Sequence, residues 1–190
     1  MGDLIVEQII SADGYAEDAQ GGIGFFENAA SLNDEDRQQL RLLQSVRAIV
    51  LGRRTYAMFA GYWPDADPGC EPVAGPINAL PKFVVSRTLK QAPWGRHTPA
   101  SVLDGDGVAS VRALRQRVQG DLIVWGSLTL ADALLAAGEV DVLRLRILPL
   151  LIGCGRGLTP PGLGTRALAL EQAHSHPSGL VVLQYRIGSR

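Results

Sequence analysis

The sequence predicts an α/β protein with a mostly parallel central sheet, flanking helices and an antiparallel C-terminal edge. Three observations carry this. Short apolar runs of the buried-strand type recur at 4–10 ("LIVEQII"), 46–51 ("VRAIVL"), 82–86 ("KFVVS") and 121–125 ("DLIVW"), each ending at a Gly or Ser. Segments of helical period separate them. In contrast, "DVLRLRIL" (141–148) alternates, and "HPSG" lies as a hairpin-type turn between two last strand-like runs. The chain has 190 residues, which suits one domain with one sizeable core.

In chain order, residues 4–10 read as a strand and "SADGY" as a turn punctuated by Asp13-Gly14. Residues 16–32, rich in Gly and Ala, read as a long loop, a length that usually accompanies function. Ser31, Asn33 and Asp34 are helix starters, and Asp36, Leu40 and Leu43 then share a face at i, i+4 and i+7. A strand at 46–51 leads into a short helix at 53–60. Residues 64–81, with five prolines and Cys70, read as a second loop. A strand at 82–86 and a short one at 101–105 precede an amphipathic helix marked by Val108, Val111, Leu114 and Val118. The strand 121–125 is followed by a helix over Leu128–Ala137, then by 141–148, a strand with one polar face. Pro149 and three glycines break it, and strands at 166–172 and 180–187 close the chain.

Composition excludes several function classes. A formal charge of −1 gives no electrostatic reason for a nucleic-acid or anionic-membrane partner. No apolar run reaches membrane-spanning length. The N-terminus lacks a basic n-region and carries Asp3 and Glu7, so no signal peptide is expected. Cys70 and Cys154 are far apart and fit a reducing cytoplasm. His174 and His176 point to one face of a strand, a spacing that can hold a metal; with no third ligand near, they read as a polar strand end.

In an open α/β sheet, ligands bind beyond the carboxyl ends of the strands. Three such ends carry Gly52-Arg53-Arg54-Thr55, Ser86-Arg87-Thr88 and Gly126-Ser127. Glycine lets backbone approach a phosphate, a helix start offers free N–H groups, and Arg and Ser supply donors to phosphate oxygens. Each piece alone is equally a strand stop, a turn or a helix cap. Together they suit a diphosphate cofactor that carries an extra phosphate.

The order and spacing of "SADGYAED" (11–18), "LGRRTYAMF" (51–59), "KFVVSRTL" (82–89), "LIVWGSLTLADALL" (122–135) and "VDVLRLRILPLLIGCGRGL" (140–158) resemble the dihydrofolate reductase-like family. The similarity is to its bacterial branch, which includes the C-terminal reductase domain of the bifunctional riboflavin-biosynthesis enzyme. The resemblance implies that fold and NADPH as cofactor. It places Arg53 and Thr55 on phosphates at the first helix, Ser86 and Arg87 on the adenosine 2′-phosphate, and Gly126, Ser127 and Leu128 over the diphosphate. At least one of Arg53 and Arg54 then meets the cofactor. It also implies a homodimer, here through residues 141–152 and the C-terminal strands.

Folate reductases carry one acid on the first helix. Counting back from Gly52 puts Asp36 there, although Asp34, Glu35 and Asp36 equally suit the positive end of any helix. The arginine that grips a folate tail is not recognisable. Phe59, Trp63, Phe25 and Phe26 are candidates for an apolar pocket, the last two on a loop placed to act as a lid. The expectation is an NADPH-dependent reductase of a small cyclic substrate, moving hydride to a C=N or C=C bond, with Asp36 or water delivering the proton. The alternatives are a ribosylaminopyrimidine reductase, although the deaminase domain normally fused to it is not in this chain, and a nucleotide-binding protein without turnover.

Overall fold

Nine strands make one sheet in the computed structural model, which describes residues 2–27 and 33–188; the side chains of 27 and 33–36 lie outside the description. The strands are β1 (Leu4–Ser11), β3 (Val46–Gly52), β4 (Lys82–Val85), β5 (Ala92–Trp94), β6 (His97–Leu103), β7 (Asp121–Trp125), β8 (Val142–Leu148), β10 (Leu168–Ser175) and β11 (Val181–Ile187). Their spatial order is β10-β11-β8-β1-β7-β3-β4-β6-β5. All pairings from β8 to β6 are parallel. Antiparallel strands end the sheet on both sides, β11 and β10 on one and β5 on the other. The sequence reading lacked β5, whose "APW" carries a proline tolerated on an edge strand.

Strand alternation sends side chains to two cores. Leu4, Val6, Val50, Val124 and Leu143 share a core with Val111 and Leu114 of α5 (Gly107–Arg117) and with Leu130 and Leu134 of α6 (Leu128–Ala137). Ile5, Ile49, Leu51, Ile123 and Trp125 face the other way. They share a core with Leu43 of α2 (Asn33–Ser45), Tyr56 of α3 (Arg53–Ala60) and Ile77 of α4 (Ala74–Ala79). Each fully buried side chain of this size contributes about 1.5–3 kcal/mol before chain entropy is charged against it.

Both expected loops contain structure. Residues 16–32 include part of β2 (Tyr15–Glu17), paired with β9 (Arg156–Gly157), and a short α1 (Gly24–Glu27). Phe25 and Phe26 of α1 pack with Ile9 against Leu148, Leu180 and Val182. The β1–β2 turn is pinned by Asp13, whose carboxylate accepts from the Gly153 and Ile152 amides at 2.8 and 3.3 Å. The Ser11 hydroxyl, helped by these amides, holds that carboxyl below its ordinary pKa. Residues 64–81 include a 3-10 turn (Trp63–Asp65) and α4; Pro64 and Pro76 stand in first turns, where a missing N–H does no harm. The Lys82 ammonium caps α4, donating at 2.7–2.8 Å to the carbonyls of Ile77, Asn78 and Leu80, and lies 4.8 Å from the Trp94 ring centre. Burial pushes its pKa down to about 8.

Candidate active site at the strand ends

The carboxyl ends of β3 and β7 are tied to one another. The Ser127 hydroxyl accepts from the Gly52 amide at 2.7 Å and donates to the Trp125 carbonyl at 2.8 Å. The Ser127 amide donates to Thr55 Oγ1 at 2.9 Å. Gln8 donates from its side-chain amide to the Gly126 carbonyl. Gly126 and Ser127 both lie in the left-handed region, at φ 52° and 53°, and Ser127 is the one non-glycine residue there among those described. A Cβ on Gly126 would stand 3.3 Å from Thr55, and one on Gly52 would stand 3.4 Å from Ser127. Two strands and two helix starts therefore converge on one close-packed turn, tightest at Gly126. The first N–H groups of α3 and α6 have no partner within their helices and offer positive potential.

This geometry sorts the predicted cofactor residues. Gly52, Thr55, Gly126 and Ser127 are brought together. The Ser127 hydroxyl is spent inside the turn, so it acts through backbone shape, while Thr55 keeps its O–H to donate. Leu128 is buried, with its side chain in the core, and can offer only backbone. Arg53 is exposed and has no partner among the described residues. Arg54 is engaged: it donates to the Gly21 carbonyl at 2.7 Å and stands 3.5 Å from Glu17, holding the 17–21 segment over α3. Of the paired arginines, Arg53 is the one free to meet a ligand. The Ser86 hydroxyl oxygen accepts from the amides of Thr88 and Leu89 at 3.2 and 3.1 Å, folding a turn that leaves Arg87 and Thr88 exposed. Ser86 thus shapes the loop that presents Arg87.

On the α2 side of the sheet lies a buried polar cluster that sequence reasoning missed. Glu7 and Arg144, 2% and 1% exposed, form an ion pair at 2.6 Å. The other Glu7 oxygen accepts from the Trp125 indole at 2.8 Å and the Gln39 amide at 3.0 Å. The strand at 141–148 reads as having one polar face, yet that face is interior at Arg144. The available signal was Glu7 itself, a charge inside an otherwise apolar strand. Trp125, Phe59 and Trp63 follow in a chain of ring contacts at 5.9 and 6.1 Å. Asp36 belongs to α2, but its side chain lies outside the described residues. Among the described residues no group of three or more His, Cys, Asp or Glu can hold a metal ion, and no helix is long and apolar enough to cross a membrane.

Close backbone approach at two glycines, two helix starts and the free Arg53 and Arg87 fit a phosphate-bearing dinucleotide. The sheet and its strand ends place the chain in the dihydrofolate reductase-like fold class. Dihydrofolate reductase from Enterococcus faecalis, solved with NADP(H), superposes with a TM-score of 0.62 at 13% identity over 99% of this chain and 98% of its own. A putative riboflavin biosynthesis protein from Shewanella sp. PV-4 superposes at 0.79, with 21% identity over 98% and 99% of the two chains. The uncharacterized protein YyaP of Bacillus subtilis (strain 168) is 23% identical over 96% of this chain and 93% of its own. The RibD C-terminal domain model matches residues 3–183, and the chain belongs to that family.

Proposed function

We propose that this protein is an NADPH-dependent reductase that moves hydride to a C=N or C=C bond of a small cyclic substrate. The observation that carries this is the Gly52–Ser127–Thr55 lock with Arg53 and Arg87, neither of which has a partner among the described residues, at the same strand ends. When bound, the cofactor supplies the hydride. The α3 and α6 starts and Arg53 hold its diphosphate, and the Ser86 turn directs Arg87 to the 2′-phosphate. Phe59, Trp63 and Trp125 wall the substrate side, and Phe25 and Phe26 exclude water. Asp36 or an ordered water delivers the proton. Cys70 and Cys154, both free thiols, suit a reducing cytoplasm.

The family match favours a ribosylaminopyrimidine as the substrate, since the family takes its name from the reductase domain of riboflavin synthesis. The exposed β10 edge favours a homodimer. NADPH oxidation against ribosylaminopyrimidines, pterins and enones tests the reading. Turnover of one class, lowered about 10²–10⁴-fold by Asp36→Asn with NADPH affinity intact, is the expected result. Turnover unchanged in that variant assigns the proton to water. Binding of NADPH without turnover of any class favours a non-catalytic nucleotide-binding protein.

A further inference from the structure

The cofactor reading leaves unused a cleft of about 620 Å³ at the far end of α6. This helix starts at the Ser127 turn and ends at Ala137, so its ten residues, about 15 Å, separate the cleft from Gly126. The strand register agrees. Leu143 of the cleft is the second residue of β8, and the Ile187 amide donates at 2.9 Å to the carbonyl of Asp141, just before that strand begins. The carboxyl end of β8, at Leu148, is level with Ser11 at the carboxyl end of β1. The cleft therefore lies at the amino ends of the parallel strands, away from the ends that carry Gly52 and Gly126.

Its lining is apolar and holds one free charge. The buried Leu135, Val140 and Leu143 face it together with Leu163, Ile187 and the exposed Leu168. Two charged side chains reach it, Asp141 and Arg166. The Asp141 carboxylate is engaged, accepting from Arg115 at 2.5 Å and from the Leu4 amide at 2.8 Å. Arg166 has no hydrogen bond or ion pair among the described residues, and its Nη2 is shut off from solvent without a partner. Such an atom is rare in a finished structure and calls for a ligand or water. The group that meets it is an acceptor with a single negative charge. The carbonyl end of α6 and the Asp141 carboxylate both oppose a second charge. A carboxylate matches one guanidinium fork, whereas a phosphomonoester brings nearly two charges to it. The six apolar side chains suit a hydrocarbon body, and the volume is that of a small-molecule site.

We propose that this cleft binds a medium-chain monocarboxylic acid. Arg166 holds the carboxylate, and Leu135, Val140, Leu143 and Ile187 cover the hydrocarbon chain. The site is independent of the NADPH reading.

The test is titration of the full chain with octanoate, below the concentration at which it forms micelles, and with 1-octanol as its uncharged counterpart, followed by amide NMR. Saturable octanoate shifts are expected at Gly138, Leu143, Gly164 and Ile187, at least tenfold tighter than any with octanol. Arg166→Gln should weaken octanoate at least tenfold and leave octanol unchanged. The side chain is unpaired, so the melting temperature should hardly move. Absence of saturation with octanoate, or octanol bound as tightly by the wild type, would overturn the proposal whether or not the variant folds. Full octanoate affinity in Arg166→Gln would overturn it too. Shifts confined to Gly52, Gly126 and Ser127 would do the same, because they report the cofactor turn alone. So would light scattering in which octanoate splits a dimer, since a second copy would then be the occupant of the cleft.

Discussion

The strand ends at Gly52 and Gly126 are closed on themselves, whereas the hairpin β10–β11 is open. At the first, three hydrogen bonds link Gly52, Thr55, Trp125 and Ser127, and a Cβ on Gly126 would crowd Thr55. At the second, all eight residues of β10 are exposed, with Leu168 and Leu170 at 42% and 57%, and its outer edge has no neighbour in the sheet. A preorganised turn can bind a small ligand without reordering. A bare apolar edge is a liability that a protein covers or charges. The difference teaches that one chain can finish one surface with its own hydrogen bonds and leave another exposed.

The largest effect is expected where the two regions join. Glu7 holds the Trp125 indole on one side and Arg144 of β8 on the other. Removing its charge leaves a buried guanidinium unpaired, so Glu7→Gln should lose about 3–5 kcal/mol in denaturant unfolding. Glu7→Gln with Arg144→Met should regain much of that loss. If the single variant unfolds like the wild type, the pair does not join the two halves.

Glycine replacement separates the regions more finely. Gly126→Ala forces a Cβ into a left-handed residue against Thr55 and should cost about 1–2 kcal/mol. Gly179→Ala, at φ 86° in the hairpin turn and 3.2 Å from Pro149, should cost a similar amount. Only Gly126→Ala should weaken NADPH, by at least tenfold, in a direct titration. Equal NADPH affinity in both variants would break the comparison.

Between pH 8 and pH 10 a pH-dependent difference is expected on the closed side, at Lys82. Lys82 opens β4, whose far end carries Ser86 and Arg87. Its amine titrates at about 8 in the folded chain against 10.5 ordinarily. Between those values the unfolded chain binds more protons, so the Lys82 contribution to stability rises with pH over that window and is flat below it. Wild type should gain stability over Lys82→Met from pH 8 to pH 10 in paired thermal melts. A gap that narrows there would show that the three carbonyl acceptors, not burial, control the amine.

The smallest change in stability is expected on the open side. Leu170→Lys touches no core and should alter unfolding by no more than about 0.5 kcal/mol. If two copies pair through β10 as proposed, light scattering should nonetheless show a dimeric wild type and a monomeric variant, because a lysine on each edge opposes pairing. An unchanged mass would move the interface elsewhere.

Much of this was legible in the sequence, for identifiable reasons. The parallel strands are buried on both faces, so they read as apolar runs whatever surrounds them. The convergence of Gly52, Thr55, Gly126 and Ser127 was legible because glycine and small polar residues stop three of those runs at one end of the sheet. Short elements were not. β2 and β5 have three residues each, too few for a period; β2 depends on pairing with the distant β9, and β5 folds back on the next strand, β6, with a proline in its middle. Arg144 was misjudged because alternation shows that a strand has two faces, not which one a helix will cover. The Arg54 contact with Gly21 was invisible because it joins residues 33 apart through a backbone carbonyl that no side-chain pattern marks.

The central claim is that the closed strand ends hold NADPH through its phosphates, and titration calorimetry with NADPH and NADH tests it most directly. The account predicts NADPH tighter by at least tenfold, about 1.4 kcal/mol, with most of that preference removed by Arg87→Ala. Equal affinity for the two nucleotides, or full discrimination in Arg87→Ala, would contradict it.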